Sequence, residues 1–142
     1  MIRVALGTSV VVAGPLRGHA QHRETLGALQ LTLAGEPPAL PLPALLETYA
    51  VLTRLPPNHR LSAEDARRAL DGTFRGRARI VALTGEEGFT LVRACADAGH
   101  TGGLLYDAHV AACARKAGAR RILTFNRRDR ERIATDLEIV SP

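Results

Sequence analysis

The sequence predicts an α/β fold, with short strands alternating with helices around a largely parallel central sheet. Runs at Ile2–Leu6, Ala78–Leu83 and Arg121–Phe125 have strand length and composition, leucines recur at helical spacing between them, and glycine or proline marks most of the junctions. No internal repeat, low-complexity tract or long linker breaks this order, so residues 1–142 are read as one domain.

Taken in order, Ile2–Leu6 reads as a buried strand that Val10–Ala13 continues after Gly7, Thr8 and Ser9. Gly14-Pro15 ends it. His22–Ala34 carries Leu26, Leu29 and Leu33 at helical spacing, with Gly35 as its stop. Pro37, Pro38 and Pro41 mark a short connection, and Pro43 suits the first turn of a helix through Leu45, Tyr49 and Leu52. Ser62 is the expected N-cap of a helix ending near Phe74, with Glu64 and Asp65 complementing its positive end. Thr84 caps a helix from about Glu86 to Ala98, and another runs from Leu104 to Ala117 before Gly118. Leu137–Val140 is a possible last strand.

The composition is 46% hydrophobic and 23% charged, which excludes a disordered chain, and no apolar run reaches membrane-spanning length. No leader-like segment opens the chain, so a cytoplasmic protein is expected. Nineteen Lys and Arg against 14 Asp and Glu leave a charge of +5, and Lys116 is the single lysine. Arginine's planar fork suits phosphate, but arginine codons also accumulate in GC-rich genomes, so charge leaves nucleic acid and a plain solvated surface equally open. Cys95 and Cys113 lie far apart in alanine-rich helical stretches and read as buried free thiols.

In a parallel sheet, ligands bind beyond the carboxyl ends of the strands, where Gly7-Thr8-Ser9 and Thr124-Phe125-Asn126 are expected. Three acids are candidates for chemistry there. Glu47 stands among Leu45, Leu46, Tyr49 and Ala50, where its plain role is a helix-flank ion pair with Arg54. Asp107 opens an apolar helix, where it would serve the helix dipole, and Asp129 and Asn126 follow a strand, where turn chemistry suffices. Together, carboxylates of this kind can hold Mg²⁺ or Mn²⁺, hard cations that take oxygen ligands and activate water for phosphodiester hydrolysis. Spacing alone does not make the three converge.

Four segments in order, Ile2-Arg-Val-Ala-Leu-Gly-Thr-Ser-Val-Val-Val, Leu45-Leu-Glu-Thr-Tyr-Ala-Val-Leu-Thr-Arg-Leu-Pro, Tyr106-Asp-Ala-His-Val-Ala and Leu123-Thr-Phe-Asn-Arg-Arg-Asp, resemble PIN-domain toxins of the VapC type. The resemblance spans almost the whole chain. It implies a three-layer α/β/α sandwich and a metal-dependent endoribonuclease, the toxin of a type II toxin–antitoxin pair that cuts RNA, dimerises and is held inactive by a cognate antitoxin. By the same resemblance, Glu47, Asp107 and Asp129 are the catalytic metal ligands, Asn126 is a further ligand or orienter, and Thr8, Ser9 and Thr124 line the pocket. The hydroxyls have an equally good local reading as turn and strand-end hydrogen bonders.

Position 7 departs from the pattern. The resemblance expects Leu-Asp-Thr-Ser, whereas the chain reads Leu6-Gly7-Thr8-Ser9. Glycine can serve a tight turn at positive φ, but a resemblance this long makes a lost metal ligand the better reading, through an introduced substitution or in a natural member with lost or altered catalysis. Impaired hydrolysis follows. The alternative is a non-catalytic module that keeps the fold to bind RNA or an antitoxin. Arg127 and Arg128, within an arginine group that also includes Arg115, Arg120, Arg121, Arg130 and Arg132, are the expected RNA-binding residues. His109, two residues after Asp107, is expected on a different side of the helix from the pocket.

Overall fold

The computed structural model describes residues 4–14, 22–125, 128, 131 and 133–142, with backbone alone at 22 and 24–26. Asn126, Arg127, Asp129, Arg130 and Arg132 lie outside the described residues, as does the start of the first expected strand.

The elements run β1 (Val4–Leu6), α1 (Thr8–Ala13), α2 (His22–Ala34), β2 (Ala39–Pro41), α3 (Leu42–Arg54), α4 (Ala63–Phe74), β3 (Arg79–Val81), α5 (Gly85–Ala98), α6 (Leu104–Lys116), β4 (Arg121–Leu123) and β5 (Glu138–Val140). All strand pairs are parallel, in the order β3-β2-β1-β4-β5. From β1 the chain builds outward to β2 and β3, then crosses back to lay β4 on the other side of β1. The gap beyond the carboxyl ends of β1 and β4 is therefore the point where the winding reverses, the place where parallel sheets hold ligands.

Alternation along the strands sorts the core into two layers. Ala5, Ala39 and Ile122 face one side with Val81 and Ile139, where Ala111, Cys113 and Ala114 of α6 cover them. Leu6, Leu40 and Leu123 face the other, against Val10 and Val11 of α1, Leu29 of α2, Ala44 of α3 and Leu70 and Phe74 of α4. The result is the expected α/β/α sandwich. Alanine on both sides of the first interface lets α6 lie close to the sheet, which brings its amino-terminal turn to the ends of β1 and β4.

Three expectations need correction. Val10–Ala13 is not a continuation of the first strand but part of α1, whose opening turn is tied by the Val10 and Val11 N–H groups donating to the Gly7 carbonyl at 3.1 Å each. A valine run has strand propensity, but a helix here buries Val10 and Val11 completely, and that burial outweighs the few tenths of a kcal/mol at stake per residue in propensity. The proline-marked connection contains β2, which pairs with both β1 and β3. Pro41 is tolerated because it is the last residue of the strand and leads directly into α3. In α3 the buried stripe is Ala44, Thr48 and Leu52, and Tyr49 is exposed. Thr48 can be buried because its hydroxyl donates to the Ala44 carbonyl at 2.7 Å.

Other boundaries follow the local chemistry. Ser62 accepts from the Asp65 N–H at 3.1 Å, and Thr84 and Glu87 form a reciprocal capping box at the start of α5. Gly99 and Gly118 take left-handed conformations, φ 73° and 77°, after α5 and α6. Cys95 and Cys113 are free and buried, and burial pushes the Cys113 thiol up to about 11. No described helix is long and apolar enough to cross a membrane.

Candidate active site

A cavity of about 550 Å³ opens beyond the carboxyl ends of β1 and β4, lined by Thr8, Ser9, Glu47, Asp107, Thr124 and others. It gathers, from four separate segments, the five described residues that the sequence marked as acids or pocket hydroxyls. Glu47 comes from the middle of α3, one turn after Pro43, so both present the same flank to the cavity. Asp107 comes from the first turn of α6. There its carboxylate is favoured by the positive end of the helix dipole, and it is buried whereas Glu47 is exposed.

The floor is tightly bonded. The Gly7 N–H donates to the Leu123 carbonyl at 2.8 Å, and the Ser9 hydroxyl lies 3.1 Å from that of Thr124 while accepting from the Phe125 N–H at 2.9 Å. Ser9 thus pins the start of α1 to the segment leaving β4. Thr124 is fully buried, and its own N–H donates to Val140 of β5 at 2.9 Å.

Gly7 is not the positive-φ glycine of a tight turn. Its φ of −80° and ψ of 156° suit any residue. What favours glycine is space: a Cβ there would stand 2.8 Å from Thr124 Cβ, 2.9 Å from Thr124 Oγ1 and 3.1 Å from the Leu123 carbonyl oxygen. No such proximity was readable from sequence, because it depends on how closely β4 approaches the end of β1.

His109 requires a correction, because it lines the same cavity as Asp107. The cavity meets a wide arc of α6, from Gly103 through Tyr106 and Asp107 to His109 and Val110, rather than one narrow stripe. His109 is half-buried, and burial lowers its pKa and favours the neutral imidazole. Tyr106 and Thr101 were also not anticipated. A tyrosine immediately before a helix-opening aspartate was the available signal for Tyr106.

The arginine group divides. Arg115 is bound by Asp136 through contacts of 2.8 and 2.7 Å and borders a different cavity between α5 and α6, and Arg121 is bound by Glu138 at 2.8 Å. Arg120 and Arg121 stand at the amino end of β4, opposite the site. Arg128 is exposed and follows β4 in the chain, but it is not among the residues lining the cavity.

Oxygen donors dominate this cavity, with carboxylates on two walls and hydroxyls on the floor. That donor set suits a hard divalent cation rather than a thiolate-bound metal. Among the described residues no group of three acids, histidines or cysteines is close enough to hold one, so Glu47 and Asp107 need a further ligand.

The PIN-domain family model matches residues 4–135, nearly the full span of the sheet and both walls of the cavity. The chain belongs to the PIN-domain family. Within that family it is similar to Ribonuclease VapC27 of Mycobacterium tuberculosis, 39% identical over 111 residues, 78% of this chain and 76% of that protein. Ribonuclease VapC40 from the same organism is 34% identical over 141 residues, covering 97% of this chain and 99% of its own length. The resemblance drawn from four short segments thus extends to whole-length VapC relatives. Among solved structures, VapBC2 from Rickettsia felis bound to a DNA fragment from their promoter superposes with a TM-score of 0.70 at 20% identity, covering 100% of this PIN-domain chain and 99% of the other. That likeness speaks to the fold.

Proposed function

We propose that this chain is the toxin of a type II toxin–antitoxin pair, an endoribonuclease whose active centre is the cavity between Glu47 and Asp107. The observation that carries this is the meeting of Glu47, Asp107, Thr8, Ser9 and Thr124 at the sheet's reversal point, in a chain alike over its length to proteins called ribonucleases. Glu47 and Asp107, with Asp129 as the further ligand and Asn126 orienting, would hold Mg²⁺ or Mn²⁺. Bound there, such an ion would supply an activated water and offset charge developing on the phosphate. The chain's own groups do the rest: Asp107 is fixed by helix and burial, Ser9 and Thr124 hold the floor in place, and Arg127 and Arg128 attract the RNA backbone from the cytoplasmic pool.

Gly7 contributes no carboxylate, so hydrolysis by this chain is impaired. Replacing Gly7 with Asp tests this. Metal-dependent cleavage of RNA should rise above that of the unaltered chain and disappear again when Asp107→Asn is added. A Gly7→Asp protein that melts cooperatively, yet cleaves no better, would sink the reading.

One observation favours a second reading, a non-catalytic module binding RNA or an antitoxin: the space beside Gly7 is already occupied by Thr124. RNA binding that persists unchanged in chelator, without cleavage by either the unaltered chain or Gly7→Asp, would establish it.

An antitoxin is the expected partner in both readings, in keeping with the VapBC assembly of the same fold. Leu46 and Tyr49 are exposed beside a cavity of about 390 Å³ between α3 and α4, and they offer the apolar surface that such a partner or a second copy in a homodimer would cover. Co-purification with a small partner and the mass of the free chain by light scattering distinguish the two.

A further inference from the structure

We infer that Tyr106 is a stacking platform for one RNA base at the mouth of the active cavity, a substrate-positioning contact that rests on the endoribonuclease reading. Tyr106 lines the cavity, yet two-thirds of its surface (66%) is exposed. Tyr49 and Phe89 are exposed as well, but neither lines this cavity, so Tyr106 is the exposed aromatic ring that the described residues offer a ligand there. The backbone beneath the ring is held, since the Tyr106 N–H donates to the Gly103 carbonyl at 3.1 Å in the first turn of α6. His109, one turn further along, lines the same flank and adds a second flat ring.

The placement matches what a single-stranded substrate presents. Tyr106, Asp107 and Glu47 line the same cavity, so a base resting on the ring leaves its own sugar-phosphate near the acids. Bases of single-stranded RNA are unstacked and available to aromatic side chains, and each such contact is worth about 1–3 kcal/mol by alanine substitution. A cavity of about 550 Å³ falls within the range of small-ligand sites and admits a nucleotide rather than a duplex. Stacking is indifferent to salt, whereas phosphate contacts are not.

Binding of a fluorescein-labelled, mixed-sequence single-stranded RNA to the full chain, measured by anisotropy in EDTA so that nothing is cleaved, tests this. Tyr106→Ala should weaken binding by roughly 5- to 150-fold, the equivalent of 1–3 kcal/mol, and Tyr106→Phe should bind like the unaltered chain. The ratio between Tyr106→Ala and unaltered chain should stay constant as salt is raised, while both affinities fall. A probe of the same length made wholly of abasic nucleotides should bind the unaltered chain and Tyr106→Ala equally. Equal RNA affinity of Tyr106→Ala and the unaltered chain overturns the proposal and leaves the ribonuclease reading standing. So does a loss confined to binding of a protein partner, or a loss shared by Tyr106→Phe. No RNA binding by the unaltered chain overturns both.

Discussion

The floor and the rim of the cavity are built on opposite principles. The floor, Gly7, Ser9 and Thr124, is hydrogen-bonded between β1, α1 and β4, with no room for a Cβ at position 7. The rim, Glu47 and Tyr106, is exposed and owes its position to the helices that carry it. Groups on the floor are therefore coupled to folding, and groups on the rim are free to change with the substrate. Asp107 stands between the two, buried like the floor but presented by a helix like the rim.

The largest effect should separate the two acids. Asp107→Asn is expected to lower Mn²⁺ affinity, read by calorimetry, by at least about tenfold, the lower range seen even for outer-shell partners of a metal. Glu47→Gln should cost less, because an exposed carboxylate is partly replaced by water. Reversal of that order would break the contrast between buried and exposed donors.

Next comes the floor itself. Gly7→Ala should destabilise the protein by about 1–3 kcal/mol through overpacking against Thr124, measured by urea unfolding. Gly27→Ala, in α2 with nothing within 4 Å of its Cβ, should stabilise by about 0.5–1 kcal/mol. Thr124→Gly should remove most of the Gly7→Ala penalty when the two are combined, a coupling visible in a double-mutant cycle. Simple additivity would mean that the close approach is not what excludes a side chain at position 7.

Ser9→Ala is expected to cost about 1–2 kcal/mol, because it leaves the Phe125 N–H without its acceptor. On the rim, Tyr106→Ala should change stability by no more than about 0.5 kcal/mol in the same assay. Similar losses from both would dissolve the distinction.

The smallest effect lies away from the cavity and serves as its control. Hydrogen bonds from Lys116 and the Thr84 N–H hold Glu87 down to about 2 from an ordinary 4.5. A carboxylate with a depressed folded pKa stabilises above its unfolded value, so this contribution should fade as pH falls from about 4.5 to about 2. Glu87→Gln should flatten the melting temperature across that window. The two side chains are only partly buried and open to solvent screening, so the change should be slight.

Much of this protein was determined by its sequence. Proline, glycine and capping residues act over three or four neighbours, which is why α4, α5 and α6 begin and end within a residue or two of expectation. Membership of the PIN-domain family was legible in four ordered segments, and so were Glu47 and Asp107 as cavity acids. The tertiary structure decided what depends on contacts between distant segments: α1 in place of a strand, where Val10 and Val11 are buried with Leu29 and Leu40, and β2 within a proline-marked stretch, because β1 and β3 supply its partners. It also brought His109 and Tyr106 to the cavity by setting the rotation of α6. Gly7 changed most. In sequence it reads as a departure from an expected aspartate; in the folded protein it is the residue that lets β4 bring Thr124 against β1, because steric fit is a property of the pair and not of either residue alone.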